Sequence, residues 1–326
     1  MKPSLIGAGV ALAALAGASA WWRYDTAPLA LEELKTRQSL PRSRFVEVAG
    51  TVVHVVDEGA GPAVVMLHGN VNSLRLWDPW AARLAARGYR VLRFDMPPYG
   101  LSGPSRSGRY GSDLTYRILR ALLDDLGIGE AVLVGAANGG PPAAWYAANH
   151  PRRARGLVLV NTPFVPPAAG FAPGFDSQRW LSENVYKFVG RPSPATAAYV
   201  RKLTAGEPVP AAFVRHIHEL GRRADVPDPL AAYGSSFAMK SADANPRGID
   251  NRKMLSELRL PVLVMWGGRA LLPLEDGQAL SAMLSGAPHE YRVYPEGGHW
   301  FPAAGQEAPA ADVVRFVERA FGRRED

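Results

Sequence analysis

Cysteine is absent from all 326 residues. That absence excludes a disulfide scaffold, a thiolate metal site, an iron–sulfur cluster and a cysteine nucleophile. The chain also lacks any block of like charge. Its formal net charge is +7, from 37 Lys+Arg against 30 Asp+Glu, but the arginines are scattered, as at Arg83, Arg87, Arg90 and Arg93. A nucleic-acid tail gathers such charge into one stretch, so no nucleic-acid partner is expected. Neither a phosphate loop nor a dinucleotide fingerprint is present. The run Gly135 to Gly140 has the spacing G-x-x-x-G-G rather than G-x-G-x-x-G, and no cofactor is expected. His216 and His218 are two apart and diverge on a helix, so no metal pair is expected either. No internal repeat is visible.

What is present is a globular composition, 47% hydrophobic and 21% charged. It suits one large domain with an insertion, or two domains. Disordered, collagen-like and polytopic membrane chains are excluded. The first 25 residues stand apart. After Met1-Lys2 an uncharged run extends from Pro3 to Trp22 and ends in Trp21-Trp22-Arg23. About twenty residues in a helix just span a hydrocarbon core, and a Trp pair followed by Arg suits its interface. An uncleaved membrane anchor is therefore expected. The alternative is a signal segment cleaved near Ala20, because Ala18-Ser19-Ala20 has the small-x-small form of a cleavage site. The run is rich in Ala and Gly, with Leu5, Ile6, Val10, Leu12 and Leu15 its large apolar residues before the Trp pair. Residues 26–43 read as a linker with a polar, helix-prone stretch from Leu29 to Leu40.

From Arg44 onward the chain is periodic. Phe45–Val48 and Val52–Val56 flank Ala49-Gly50-Thr51 and read as a hairpin. Apolar, β-branched runs follow at Ala63–Leu67, Tyr89–Phe94, Ala131–Val134, Gly156–Val160, Pro261–Trp266 and Tyr291–Tyr294. Between them, apolar residues at 3–4 spacing predict helices over Trp77–Arg87, Tyr110–Leu126, Asn138–Asn149, Leu274–Leu284 and Ala308–Phe321. Alternation of this kind predicts βαβ units and a parallel sheet. One segment breaks the rhythm. Between Val160 and Pro261 lie about a hundred residues without a convincing strand, too long for a structureless loop. Helical pieces near Ser177–Val189, Pro194–Leu203, Pro208–Arg222 and Pro229–Lys240 make it a helical cap, placed at residues 163–251 between core parts 44–162 and 252–322. Such an insertion sits over the end of the sheet where ligands bind.

Four motifs fall in a fixed order on these strands: His68-Gly69-Asn70, Asp95-Met96-Pro97-Pro98-Tyr99-Gly100-Leu101-Ser102-Gly103, Gly135-Ala136-Ala137-Asn138-Gly139-Gly140, and Glu296-Gly297-Gly298-His299-Trp300. Together they resemble the α/β-hydrolase family, in particular bacterial hydrolases with an N-terminal membrane anchor and a helical cap. The resemblance covers about Arg44 to Phe321. It implies a mostly parallel eight-stranded sheet flanked by helices. It also implies a domain facing the periplasm from the inner membrane, or secreted if the segment is cleaved.

The family's turn after its fifth strand reads G-x-S-x-G, with Ser as nucleophile. Here the glycines remain and Ala137 stands in the nucleophile's place. A methyl group neither attacks a carbonyl nor accepts activation by a base. The family's acid follows the seventh strand; here that place holds Ala270, in Trp266-Gly267-Gly268-Arg269-Ala270-Leu271-Leu272-Pro273. Some members take the acid from the end of the sixth strand, where this chain has Asn161. Asn can orient an imidazole but supplies no charge; the plainer reading is a polar turn residue. His299 occupies the family's base position, either as a working base or as a relic bonded to a neighbour. Backbone N–H groups of Asn70 and Asn138 match the oxyanion hole. Asp95 reads as structural, and His54 and His289 as ordinary strand residues. The resemblance thus implies a pseudo-hydrolase that keeps a pocket for a small apolar ligand. The alternative is a hydrolase or lyase acting on a small apolar ester, epoxide or carbonyl compound, with His299 as general base.

Overall fold

The computed structural model describes residues 5–108, 110–162, 164, 191–225 and 250–322. Eight strands form one sheet in the order β1-β2-β4-β3-β5-β6-β7-β8. They are β1 (Ser43–Val48), β2 (Thr51–Glu58), β3 (Ala63–Leu67), β4 (Arg90–Phe94), β5 (Ala131–Ala136), β6 (Ala154–Val160), β7 (Val262–Arg269) and β8 (His289–Gly298). β2 runs antiparallel to β1 and β4, and all other pairs are parallel. The helices are α1 (Leu5–Thr26), α2 (Leu31–Gln38), α3 (Asp78–Ala86), α4 (Ser112–Asp125), α5 (Gly140–Asn149), α6 (Ser193–Leu203), α7 (Ala211–Leu220), α8 (Asn251–Glu257), α9 (Leu274–Met283), α10 (Phe301–Ala304) and α11 (Glu307–Ala320). The doubly covered, mostly parallel sheet expected from the motifs is the architecture observed.

Strand side chains alternate between two faces, and each face has its own helices. Val64 and Met66 of β3 join Val132, Val158 and Leu263 against Trp80 and Leu84 of α3 and Val313 and Val317 of α11. Val65 and Leu67 join Leu133, Leu157 and Val264 against Leu119 and Leu122 of α4, Trp145 of α5 and Leu280 of α9. Both faces are buried, so the central strands read as continuous apolar runs. β8 is longer than its run Tyr291–Tyr294 predicts. It is an edge strand with most of its residues partly or fully exposed, and its ends therefore carry little apolar signal.

Two of the expected cap helices appear as α6 and α7. The pieces near Ser177–Val189 and Pro229–Lys240 lie outside the described residues. α6 and α7 pack Val200, Leu203, Phe213 and Ile217 onto the α3–α11 side of the core. The N-terminal stem is tied to them. The Asp25 carboxylate accepts the Ser193 N–H at 2.6 Å, and Arg222 donates to the Ala27 carbonyl at 2.7 Å. The expected anchor forms a helix of 22 residues, but among the described residues no helix is long and apolar enough to cross a membrane. Its Ala and Gly content explains the shortfall, since small side chains contribute little transfer free energy.

One buried carboxylate shapes the loops above β3 and β4. Asp95 accepts the N–H groups of Leu74 and Leu101, each at 2.7 Å, and His54 Nδ1 at 2.7 Å. Its main-chain carbonyl accepts the Ser102 hydroxyl at 2.6 Å. Burial by itself raises the pKa of this carboxyl, but His54, His68 and the Leu101 N–H outweigh it and hold the value at about 2. Gly100 passes so close that a Cβ there would lie 2.0 Å from the carboxylate carbon. Asp95 thus ties together the loops after β3 and β4.

Asp95→Ala strands two backbone donors and a histidine in the interior, and should cost about 3–5 kcal/mol, a fall in Tm on the order of 10 °C. The charge-dependent part of this stability is present above the ordinary carboxylate range and is lost as pH falls toward about 2. Thermal unfolding across pH checks both points; a loss below about 1 kcal/mol contradicts them.

Candidate functional site

Strand register brings the motif residues to one edge. Leu67 pairs with Gly135, Ala136 with Val160, and Arg269 with Gly298. The residues just beyond these pairs are Gly69 and Asn70 after β3, Ala137 and Asn138 after β5, Asn161 after β6, Ala270 after β7 and His299 after β8. All leave the sheet at the carboxyl ends of its parallel strands, where open α/β sheets bind ligands.

The turn after β5 is the tightest part. Ala137 has φ of +44°, a left-handed conformation that costs a residue with a Cβ on the order of 1 kcal/mol. The chain then makes a short 3-10 turn through Gly139 before α5 begins at Gly140, two residues later than the helix predicted from Asn138. A Cβ on Gly139 would lie 2.4 Å from the Leu67 carbonyl oxygen, and one on Gly140 would lie 2.1 Å from the Thr162 methyl. Only glycine lets α5 approach β3 and β6 this closely. Gly69 passes beside the turn, its Cβ position 2.9 Å from the Ala137 methyl.

His299 follows β8 in a loop clamped by α6 and α7. The Trp300 N–H donates to the Leu203 carbonyl at 2.8 Å. The Trp300 ring stands edge-on to Tyr199 at 5.7 Å and to Phe213 at 6.3 Å. Nδ1 of His299 is buried and has no hydrogen-bond partner among the described residues. Burial pushes its pKa down to about 4, so the ring is neutral near pH 7. An orphaned buried imidazole nitrogen forfeits a hydrogen bond's worth of solvation. Ala270 lies one residue past the Arg269–Gly298 pair, next to this loop, and its methyl offers no acceptor. The nearby carboxylate of Glu296 is occupied at the surface by Arg269.

Asn161 is fully buried with φ of +45°. Its Nδ2 donates to the carbonyls of His299 at 3.0 Å and Gly298 at 3.3 Å, while Oδ1 accepts the Gly267 N–H at 2.9 Å. Its amide therefore stitches β6 to β7 and β8 and holds the His299 peptide, with these three bonds made to backbone rather than to the ring. Asn70 follows β3 and Asn138 follows β5, at the carboxyl edge of the sheet. The Asn70 side-chain oxygen is itself buried and unpartnered among the described residues. Among the described residues no cluster of three or more potential metal ligands occurs.

Two histidines have roles that spacing did not reveal. His68 donates from Nδ1 to the Gly69 carbonyl at 2.6 Å and accepts the Met96 N–H at Nε2, 2.8 Å away. It holds the loop carrying Asn70. His216, weighed only as a metal ligand, places Nε2 2.7 Å from the Ser73 hydroxyl and Nδ1 3.0 Å from Gln38 Oε1. It thus joins α7, α2 and the loop after β3. Its partners are 143 and 178 residues away in sequence, a separation for which single-sequence patterning carries no signal.

Residues 62–197 match the model of the α/β hydrolase fold. Over 302 residues the chain is 31% identical to a 2-hydroxy-6-oxononadienedioate/2-hydroxy-6-oxononatrienedioate hydrolase of Burkholderia vietnamiensis, covering 85% of this chain and 96% of that protein. Among solved structures, a membrane phospholipase A aligns with TM-score 0.71 and 21% identity over 99% of this chain and 100% of its own. A meta-cleavage product hydrolase from Pseudomonas fluorescens IP01, solved as a serine-to-alanine mutant complexed with acetates, aligns with TM-score 0.67 and 20% identity. That alignment covers 85% of this chain and 98% of the other.

The His299 ring should titrate near pH 4 by proton NMR. Ala270→Asp adds a carboxylate one residue past the Arg269–Gly298 pair, close to the His299 loop, which favours the imidazolium and should raise that value by about one to three units. An unchanged titration contradicts electrostatic coupling between residue 270 and the ring.

Proposed function

The chain belongs to the α/β-hydrolase fold family, and from that premise we propose that it is a catalytically impaired member that keeps a ligand pocket. The observation that carries this reading is the paired loss around His299. The elbow presents a methyl at Ala137, and the imidazole has no partner at Nδ1 among the described residues, while Ala270 follows the Arg269–Gly298 pair. No Ser, Thr, Cys or Asp lies between Val132 and Trp145 to serve in a shifted register. Removing the nucleophile of a Ser-His-Asp triad costs about 10⁶ in kcat, roughly 8 kcal/mol of transition-state stabilisation. The residual site is a binding site. Its ligand is a small, largely apolar molecule with a carbonyl or carboxylate oxygen, held by the backbone N–H groups of Asn70 and Asn138. The stem helix α1, with Leu15, Trp21 and Tyr24 exposed, supplies attachment to a membrane interface.

A second reading has its own support. The relative from Burkholderia vietnamiensis is named a hydrolase and aligns over 85% of this chain, and the comparisons as a whole favour hydrolytic chemistry. A neutral His299 is a ready proton acceptor. On this reading His299 acts as general base toward water or toward a proton next to a carbonyl, without a covalent intermediate.

The two readings part on rebuilding the triad. Ala137→Ser with Ala270→Asp should gain ester hydrolysis at least about 100-fold above the unmodified chain, with a fluorophosphonate adduct mapping to position 137. Ala137→Ser alone should gain less, since a triad without its orienting carboxylate loses about 10⁴ in kcat. Activity already high in the unmodified chain and undiminished by Ala137→Ser supports the second reading.

A further inference from the structure

A complete Ser–His–Asp arrangement exists in this molecule, away from the elbow. β1 and β2 pair so that Phe45 faces His54 and Ser43 faces Val56, which sets Ser43 diagonally across from His54 on one face of the hairpin. The Ser43 hydroxyl oxygen lies 2.6 Å from His54 Nε2, and His54 Nδ1 lies 2.7 Å from Asp95 Oδ2. Asp95 is fixed by the N–H groups of Leu74 and Leu101 and stays ionised, so Nδ1 carries the proton and donates it. Nε2 is left as an acceptor for the Ser43 hydroxyl. Each ring nitrogen thus has the partner that an activated serine requires.

The surroundings hold this geometry. His54 is 2% exposed, and its ring stacks on Phe45 with centroids 5.1 Å apart and planes 21° from parallel. The imidazole cannot swing away from either partner. Ser43 is partly open to solvent, and exposed Phe45 offers an apolar ledge beside it. The Leu40 N–H donates to the Ser43 oxygen at 2.8 Å. That bond takes one of two lone pairs and leaves the other for an electrophile.

We propose that Ser43, His54 and Asp95 form a second nucleophilic centre, which accepts acyl groups from small activated esters. The Ser43 oxygen bonds to the carbonyl carbon while its proton passes to His54 Nε2. The tetrahedral intermediate collapses, the bond to the leaving alcohol's oxygen breaks, and His54 returns the proton to that alcohol. Acyl-Ser43 and free alcohol are the products, and water later releases the acid by the same route in reverse. Ser43 sits at a half-open sheet edge rather than in a closed pocket, where water screens the developing oxyanion. Each missing preorganised donor costs about 10²–10³ in rate, so acylation and the later hydrolysis are both slow. Ala137 and His299 take no part, and the two sites succeed or fail separately.

The test uses the full chain treated with p-nitrophenyl acetate and, separately, with a fluorophosphonate, followed by peptide mass spectrometry. The expected result is an adduct on Ser43, absent from Ser43→Ala. A folded chain without adduct at Ser43 overturns the proposal. A second measurement exploits the absence of native cysteine. In Ser43→Cys the introduced thiol is the only one, and pairing with His54 should make it alkylate with iodoacetamide at pH 6 about 10-fold or more faster than free cysteine. A rate equal to free cysteine also overturns the proposal, because a serine serving only to tie down the linker needs no such activation.

Discussion

The close approach of α5 to the ends of β3 and β6 governs the candidate site. Gly139 and Gly140 leave no room for a Cβ against the Leu67 carbonyl and the Thr162 methyl, and the backbone can meet that constraint only by turning sharply at Ala137. The left-handed φ at this residue is the local cost of the turn, and burial of the central strands offsets it many times over. Residue 137 is therefore presented at the carboxyl edge of the sheet whatever its side chain. Asn161 makes a matching fixture on the other side, fastening the His299 peptide to β6 and β7 through its amide.

Scaffold and chemistry are thus separable in this chain. The turn, the clamp of Trp300 by α6 and α7, and the Asp95 hub all depend on backbone spacing and buried hydrogen bonds. The proton-transfer apparatus depends on two side-chain groups, and at both places a methyl stands instead. The His299 ring is held at low pKa, with Nδ1 buried and unpartnered among the described residues, and the loop around it stays packed. Meanwhile ionised Asp95 orients His54 next to Ser43.

Much of the fold was legible because both faces of the parallel sheet are buried. The run Ala63–Leu67 coincides with β3, and the helix over Leu274–Leu284 with α9 to within one residue. The ends of β7 and β8 were not legible, since Gly267-Gly268-Arg269 and Glu296-Gly297-Gly298 carry no apolar periodicity. The elbow and His299 could be located by motif order alone. The partners of buried polar groups could not. His54 reads as an ordinary strand residue in an alternating run, yet it links Ser43, 11 positions before it, to Asp95, 41 positions after it. Asn161 reads equally well as a turn residue or a histidine's orienter, and only the tertiary contacts show that it bonds backbone. The Pro3–Trp22 run had the length of a span but not its apolar content, and it was length that suggested the anchor.

The central claim is that the pocket around His299 binds without turning over. Steady-state hydrolysis of p-nitrophenyl butyrate by the unmodified full chain, compared with His299→Ala at equal concentration, tests it most directly. The account predicts that the two proteins release no p-nitrophenol beyond the first equivalent at rates distinguishable from each other. Sustained turnover by the unmodified chain that His299→Ala abolishes would contradict it.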